Sequence, residues 1–255
     1  HVPESGADDD NSGMGVAAGD YTLDGRPDLF VTNLGSQLHS VYVNDTEAAV
    51  SFQDATASLG TPDLGGDYTG WGATWADIDL DTDLDLVLAN GRIPLLDKTA
   101  DAEPMQVLAN QSAQSGLVEF LDVSSELGLA ELGPLLARGS AVADYDNDGD
   151  LDVAVNSIGS SVRLLRNEVG GRWLVVELEG FHPGATVTAV LPDGTELVRT
   201  VAAGSSYLSS EDPRVHFGLG DADGVTQLKV RWPDGTETVT EDLGRNRIVT
   251  IDPPT

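Results

Sequence analysis

Hydrophobic positions in the first two thirds of the chain come in short runs, each following an aspartate-rich stretch. Leu29-Phe30-Val31, Leu86-Val87-Leu88 and Leu151-Asp152-Val153-Ala154-Val155 all start this way. Brief apolar runs bounded by Gly, Asp and Asn read as strands. Further strands are predicted at 40–44, 107–110 and 162–167, each closing on an asparagine. Small residues lead into the acidic stretches, as in Gly70-Trp71-Gly72-Ala73-Thr74-Trp75-Ala76 and Arg138-Gly139-Ser140-Ala141-Val142-Ala143. They predict strands packed close to a common axis. Ser51-Phe52-Gln53-Asp54 and Glu119-Phe120-Leu121-Asp122 begin two matching segments that run on to Gly60 and Gly128. They read as openings of the second and third units. Each unit then holds about four short strands and no convincing helix, the pattern of a β-propeller blade. On this reading the first unit, from Gly13, lacks its outermost strand. About three blades fall short of the four to eight that close a ring, so a partial β-propeller is predicted over 13–170.

From Gly171 the pattern changes to alternating strand and turn. Strands are expected at 173–179, 185–191, 225–232 and 247–251. Pro192-Asp193-Gly194-Thr195 and Pro233-Asp234-Gly235-Thr236 are twin hairpin turns, with proline opening and glycine supplying positive φ. The all-β fold class is thus a partial propeller followed by a small β-sandwich-like domain over 171–255. Residues 1–12 are acidic with little to bury, which predicts a flexible start.

The acidic stretches carry the candidate chemistry. They are Asp20-Tyr21-Thr22-Leu23-Asp24-Gly25-Arg26-Pro27-Asp28, Asp77-Ile78-Asp79-Leu80-Asp81-Thr82-Asp83-Leu84-Asp85 and Asp144-Tyr145-Asp146-Asn147-Asp148-Gly149-Asp150-Leu151-Asp152. Acids stand at positions 1, 5 and 9 of each, and the starts lie 57 and then 67 residues apart. Oxygens recurring at alternate positions suit calcium, which takes six to eight of them in flexible geometry. Three Ca²⁺ ions are therefore expected. Their side-chain ligands would be Asp20, Thr22, Asp24 and Asp28; Asp77, Asp79, Asp81 and Asp85; and Asp144, Asp146, Asp148 and Asp152. The carbonyls of Arg26, Asp83 and Asp150 would add a seventh-position ligand in each loop. A structural role for the ions, rather than Lewis-acid chemistry, follows from loops that saturate the ion with protein oxygens.

Charge agrees with this. The chain has 43 acids against 13 bases, a net of −30. Residues 1–170 hold 30 acids and 6 bases, whereas 171–255 hold 13 and 7, so the acid lies with the repeats. Adaptation to high salt is an alternative source of acidity, and the scarcity of lysine (Lys98 and Lys229) suits it too. No basic cluster offers phosphates a seat, which argues against a nucleic-acid partner. No apolar run reaches the length of a membrane span. Without cysteine there are no disulfides, and bound calcium would be the staple of an extracellular chain. The chain opens on His1 rather than Met, so a longer product is expected.

Two FG-GAP/VCBS-type features, the acidic loops and the Phe52 and Phe120 segments, make 13–170 resemble propeller repeats also seen in integrin α-subunits. Gly171-Arg172-Trp173, Gly204-Ser205-Ser206-Tyr207-Leu208-Ser209, Val215-His216-Phe217-Gly218-Leu219-Gly220 and Val230-Arg231-Trp232-Pro233-Asp234-Gly235 resemble the ASPIC/UnbV domain. The pairing is similar to the family of cartilage acidic protein and its bacterial relatives. The resemblance implies calcium-binding proteins that are secreted or lie at the cell surface, with matrix or adhesion roles, and a longer propeller than this chain carries. Thr22 and Thr82 depart from the usual loop pattern, so affinity should fall from loop three through loop two to loop one.

Catalytic residues are not expected. His1, His39, His182 and His216 form no metal pair, and no nucleophile elbow surrounds Ser205, Ser206, Ser209 or Ser210. An enzyme acting on polysaccharide is the alternative, with Trp71, Trp75, Trp173 and Trp232 as stacking surfaces for carbohydrate. Asn44-Asp45-Thr46 and Asn110-Gln111-Ser112 match glycosylation sequons. Open blade edges predict a covering partner: the missing blades, another protein, or a second copy of the chain.

Overall fold

The computed structural model describes residues 7, 10–44, 51–57, 59, 66–115 and 117–254. Most of the flexible start expected at 1–12, and the Asp45-Thr46 part of the first sequon, lie outside these residues. Among the described residues the chain is essentially all-β, with its strands in five sheets.

The first sheet has the order β1-β2-β3-β4, from Gly13–Gly19, Asp28–Asn33, Ser40–Asn44 and Phe52–Asp54. The second repeats it with β5 (Gly70–Ala76), β6 (Asp85–Asn90), β7 (Gln106–Asn110) and β8 (Phe120–Asp122). The third has β9 (Ala137–Ala143), β10 (Asp152–Ser157) and β11 (Arg163–Leu165). All pairings in these sheets are antiparallel.

Two expectations are corrected here. The Phe52 and Phe120 segments close the preceding sheets instead of opening new ones, because Asn44 pairs with Phe52 and Asn110 with Phe120. The first unit consequently has four strands, and it is the third that has three. Among the described residues helix is confined to one α-turn, α1 (Ser112–Ser115), and a 3₁₀ turn at Leu129–Glu131.

β1 packs against β5, and β5 against β9. The small residues of these strands allow the approach: a Cβ on Gly15 would come within 1.9 Å of the Trp71 carbonyl oxygen, and one on Gly72 within 2.5 Å of Ser140 Oγ. β6 is buried on both sides. Leu86 and Leu88 join Phe30, Trp75 and Phe120 in one core, while Val87 and Ala89 join Val107, Ala137 and Val153 in the next. The period-two alternation of a strand divides it between two cores in this way.

The last two sheets are β15-β12-β18 and β14-β13-β16-β17. Their strands are β12 (Trp173–Leu178), β13 (Thr186–Val190), β14 (Glu196–Thr200), β15 (Val215–Gly218), β16 (Gly224–Arg231), β17 (Glu237–Gly244) and β18 (Arg247–Ile251). β12 and β18 run parallel. The two sheets share an apolar core that includes Leu174, Val187, Leu197, Phe217, Leu228 and Trp232. Both proline-opened hairpins have their glycine at positive φ, 93° at Gly194 and 87° at Gly235.

Candidate metal loops and the surface that covers them

Each acidic stretch connects the first strand of its sheet to the second, and the three share one hydrogen-bond pattern. The first-position carboxylate accepts the N–H groups of positions five and six. Asp20 takes those of Asp24 and Gly25, Asp77 those of Asp81 and Thr82, and Asp144 those of Asp148 and Gly149, all at 2.9–3.1 Å. The fifth-position carboxylate accepts the seventh N–H: Asp24 from Arg26, Asp81 from Asp83, Asp148 from Asp150. The ninth fastens the loop at or just beyond the end of the third strand, since Asp28, Asp85 and Asp152 accept the N–H of Asn44, Asn110 and Asn167. Positive φ at Gly25, Thr82 and Gly149 makes the sharp turn. At Thr82 a side chain bears the cost that glycine avoids elsewhere.

This scaffold gathers carboxylates. Among the described residues, ligand oxygens of Asp77, Asp79 and Asp85 lie within 4.8 Å of one another, as do those of Asp144, Asp146 and Asp148. Loop one forms no such group; its Asp24 pairs with Arg26, and Thr22 donates to Asp28. In loop three Arg166 spans Asp146 and Asp148. Burial is the main cause that pushes the carboxyl of Asp77 up to about 8 and those of Asp28 and Asp79 up to about 6. Asp85 is raised well above its ordinary value for the same reason. Carboxylates so placed are stabilised by a proton or by a cation.

The side chains of Arg26, Asp83 and Asp150, whose carbonyls are the expected ligands, have separate tasks. Arg26 also donates to the Asn44 carbonyl, Asp83 accepts from Ser112 Oγ and the Ala113 N–H, and Asp150 accepts the Gly170 N–H. Sequence reading also missed the work of the closing asparagines. Asn110 Nδ2 donates to the Tyr21 carbonyl of loop one, and Asn167 Nδ2 to the Ile78 carbonyl of loop two. Their recurrence at one strand end was the visible signal.

The C-terminal sheets stand on the loops. Leu23 of loop one packs on the C-terminal core. Leu80 of loop two clusters with Trp173 and Val175, and its carbonyl accepts the Gly220 N–H. Arg199 donates to the Thr82 carbonyl and lies beside Asp77 and Asp20. At loop three, Arg214 donates to the Asp144 carbonyl and Asn147 Oδ1, both at 2.6 Å. His216 Nε2 lies 2.8 Å from the Gly149 carbonyl, and a Cβ on Gly149 would overlap the Trp173 ring. The segment after β14 reaches the three first strands through one residue. Ser206 donates its N–H to Val16, accepts the Ala73 N–H on Oγ, and meets Ser140 Oγ at 3.3 Å.

No hydrolytic triad forms from the serines: Asp212 is paired with Arg214, and His216 faces a carbonyl. The tryptophans are packed. Trp75, Trp173 and Trp232 are buried, and Trp71 is held between Arg138 and Tyr207 while donating to the Gly91 carbonyl.

Residues 179–255, from just beyond β12 onward, match the family model described as ASPIC and UnbV. Most of the chain is similar to cartilage acidic protein 1. Identity is 27% over 242 residues with the Homo sapiens protein, covering 91% of this chain and 34% of the relative. It is 28% over 243 residues with the Mus musculus protein and 29% over 245 with that of Xenopus tropicalis, each covered to 35%. The chain thus spans about a third of the length of the cartilage acidic protein 1 sequences it matches. No helix among the described residues is long and apolar enough to cross a membrane.

Proposed function

We propose that the chain is a calcium-ordered extracellular module with a binding or structural role in adhesion, matrix or assembly. The observation that carries this reading is the threefold hydrogen-bond pattern of the loops, which leaves carboxylates convergent in two of them. Asp77, Asp79, Asp81 and Asp85 would hold one ion, and Asp144, Asp146, Asp148 and Asp152 another. Asp20, Thr22, Asp24 and Asp28 would hold a third, the weakest because among the described residues its carboxylates form no convergent group. The cation supplies charge neutralisation and rigidity, and it lets the buried carboxyls stay ionised.

On this reading the sheets of 13–170 are blades of a partial β-propeller, and 171–255 form a β-sandwich-like domain docked on their loops. Partners are the remaining blades, another protein, or a second copy, meeting the open sheet edges. Secretion or surface display follows from the likeness to cartilage acidic protein 1 and from calcium levels outside cells. The packed tryptophans and the convergence of the aspartates on one another weigh against an enzyme acting on polysaccharide. Calorimetric titration of chelator-stripped protein tests the reading. Saturable calcium binding that loses one site in Asp79→Asn and another in Asp146→Asn is the expected result; no heat at millimolar calcium overturns it.

A further inference from the structure

A cavity of about 460 Å³ lies where the first strands β1, β5 and β9 meet the segment between β14 and β15. Its wall is largely apolar, with Val16, Ala18, Val142 and Val175 contributing. Glu211 lies on the same wall. Its Oε1 atom is buried and completes no hydrogen bond within the protein. The hydroxyls of Thr74 and Ser205 face this carboxyl but form no well-aligned bond to Oε1. Among the described residues no basic side chain pairs with it. The arginines nearest the cavity are committed: Arg199 to the Val198 and Thr82 carbonyls, Arg214 to Asp212 and loop three. Three more wall atoms, Trp75 Nε1, Ser205 Oγ and His216 Nδ1, are also buried without a partner. Unpaired buried polar groups are costly in a folded chain. When they gather on one cavity of ligand size, they mark a binding site.

We propose that this cavity binds a small organic ammonium ion, its charged head on Glu211 and its hydrocarbon body against the apolar wall. A hard metal ion does not suit the place beside Glu211, because the other wall carboxylates are engaged elsewhere, Asp20, Asp77 and Asp144 by loop N–H groups and Asp212 by Arg214, and one free carboxylate falls short of the six or more oxygens calcium requires. A neutral or anionic ligand would leave the carboxylate uncompensated. The net charge of −30 draws cations toward the chain. The cavity abuts the metal loops, whose Asp20, Asp77 and Asp144 lie on its wall, but Glu211 belongs to the segment after β14 and is none of their expected ligands, so Glu211→Gln alters this site and leaves every loop carboxylate in place.

The test is calorimetric titration with n-butylammonium chloride, at millimolar calcium and physiological ionic strength, with 1-butanol as the neutral isostere. Saturable binding of the ammonium ion, much tighter than that of the alcohol, is expected. Glu211→Gln should weaken it by about tenfold or more, as for loss of a charge-assisted bond. Glu211→Gln removes one acid of 43, so loose association with the acidic surface would survive it. Val16→Phe, at a half-exposed position on the wall, should block the site sterically and keeps the test decisive if Glu211→Gln fails to fold. No saturable binding, equal affinity for the alcohol, or unchanged affinity in either folded variant overturns the proposal.

Discussion

Between Asp20 and Asp152 the chain buries aspartates, asparagines, threonines and a histidine; among the described residues of 173–251 no polar or charged side chain is fully buried. Both regions are sheets with strands of similar length, yet they are stabilised by different means. The C-terminal sheets enclose an apolar core, which removes hydrocarbon from water and needs no ion. The first three sheets have apolar cores as well, but their first-to-second strand connections are organised by carboxylates that burial pushes toward protonation. Stability of the second region is therefore set by its own residues. On the proposed reading, that of the first depends on what the solution provides.

Chelation should separate the two most widely. A ligand at a hundredfold excess over its dissociation constant stabilises by about 2.7 kcal/mol per site. Stripping loops two and three should thus lower the melting of 13–165 by many degrees and leave the C-terminal core to melt later. Scanning calorimetry would show two transitions in chelator that draw together in calcium. One unchanged transition in both solutions breaks the comparison.

Gly149→Ala strikes the seam between the regions. The added methyl meets the Trp173 ring at a position held at φ 98°, and a cost of about 3 kcal/mol is expected. Gly194→Ala, in a hairpin at φ 93° with open space around it, should cost only about 1 kcal/mol. Equal losses in denaturant titrations would mean that the C-terminal sheets do not rest on loop three.

Asp148→Ala sharpens the contrast within the first region. It deletes a carboxylate that accepts the Asp150 N–H and joins the loop-three cluster, and about 2 kcal/mol should be lost in calcium. Glu131→Ala, on an exposed turn, should stay within about 0.5 kcal/mol. The gap between the two variants should narrow in chelator.

The smallest effect is on pH. In the metal-free chain the raised carboxyls hold protons that the unfolded chain releases near 3.8. Their contribution is complete below that value and is lost as pH climbs through about 6 for Asp28 and about 8 for Asp77. His39 and His216 act oppositely. Burial lowers both to about 4, so their contribution is present above 6.5 and lost as pH falls toward 4. Calcium should flatten the alkaline limb of melting temperature against pH and leave the acid limb in place.

The loops were legible in the sequence because acids recur at positions 1, 5 and 9 of each and the apolar run that follows fixes a strand. The phase of the repeat was not. A four-strand period can be cut at any strand, and only the pairing of Asn44 with Phe52 assigns that segment to the sheet before it. Arg199, Arg214 and Ser206 were equally hidden. Their partners lie 66 or more residues away in sequence, and Val16 is far beyond that from Ser206, out of reach of local pattern; a lone arginine or serine in an ordinary strand or turn announces nothing.

The asparagine links between loops have a direction. Asn110 and Asn167 each donate back to the loop of the preceding sheet, at its second-position carbonyl. A loop that tightens presents that carbonyl in a fixed place, and so steadies the strand end on which the following loop is anchored. Ordering therefore passes from neighbour to neighbour, as in linear repeat arrays whose stability is a sum of unit and interface terms. The three loops cannot behave as independent binding posts. They form a short relay in which the state of one biases the next, and on the proposed reading calcium uptake along it should be cooperative.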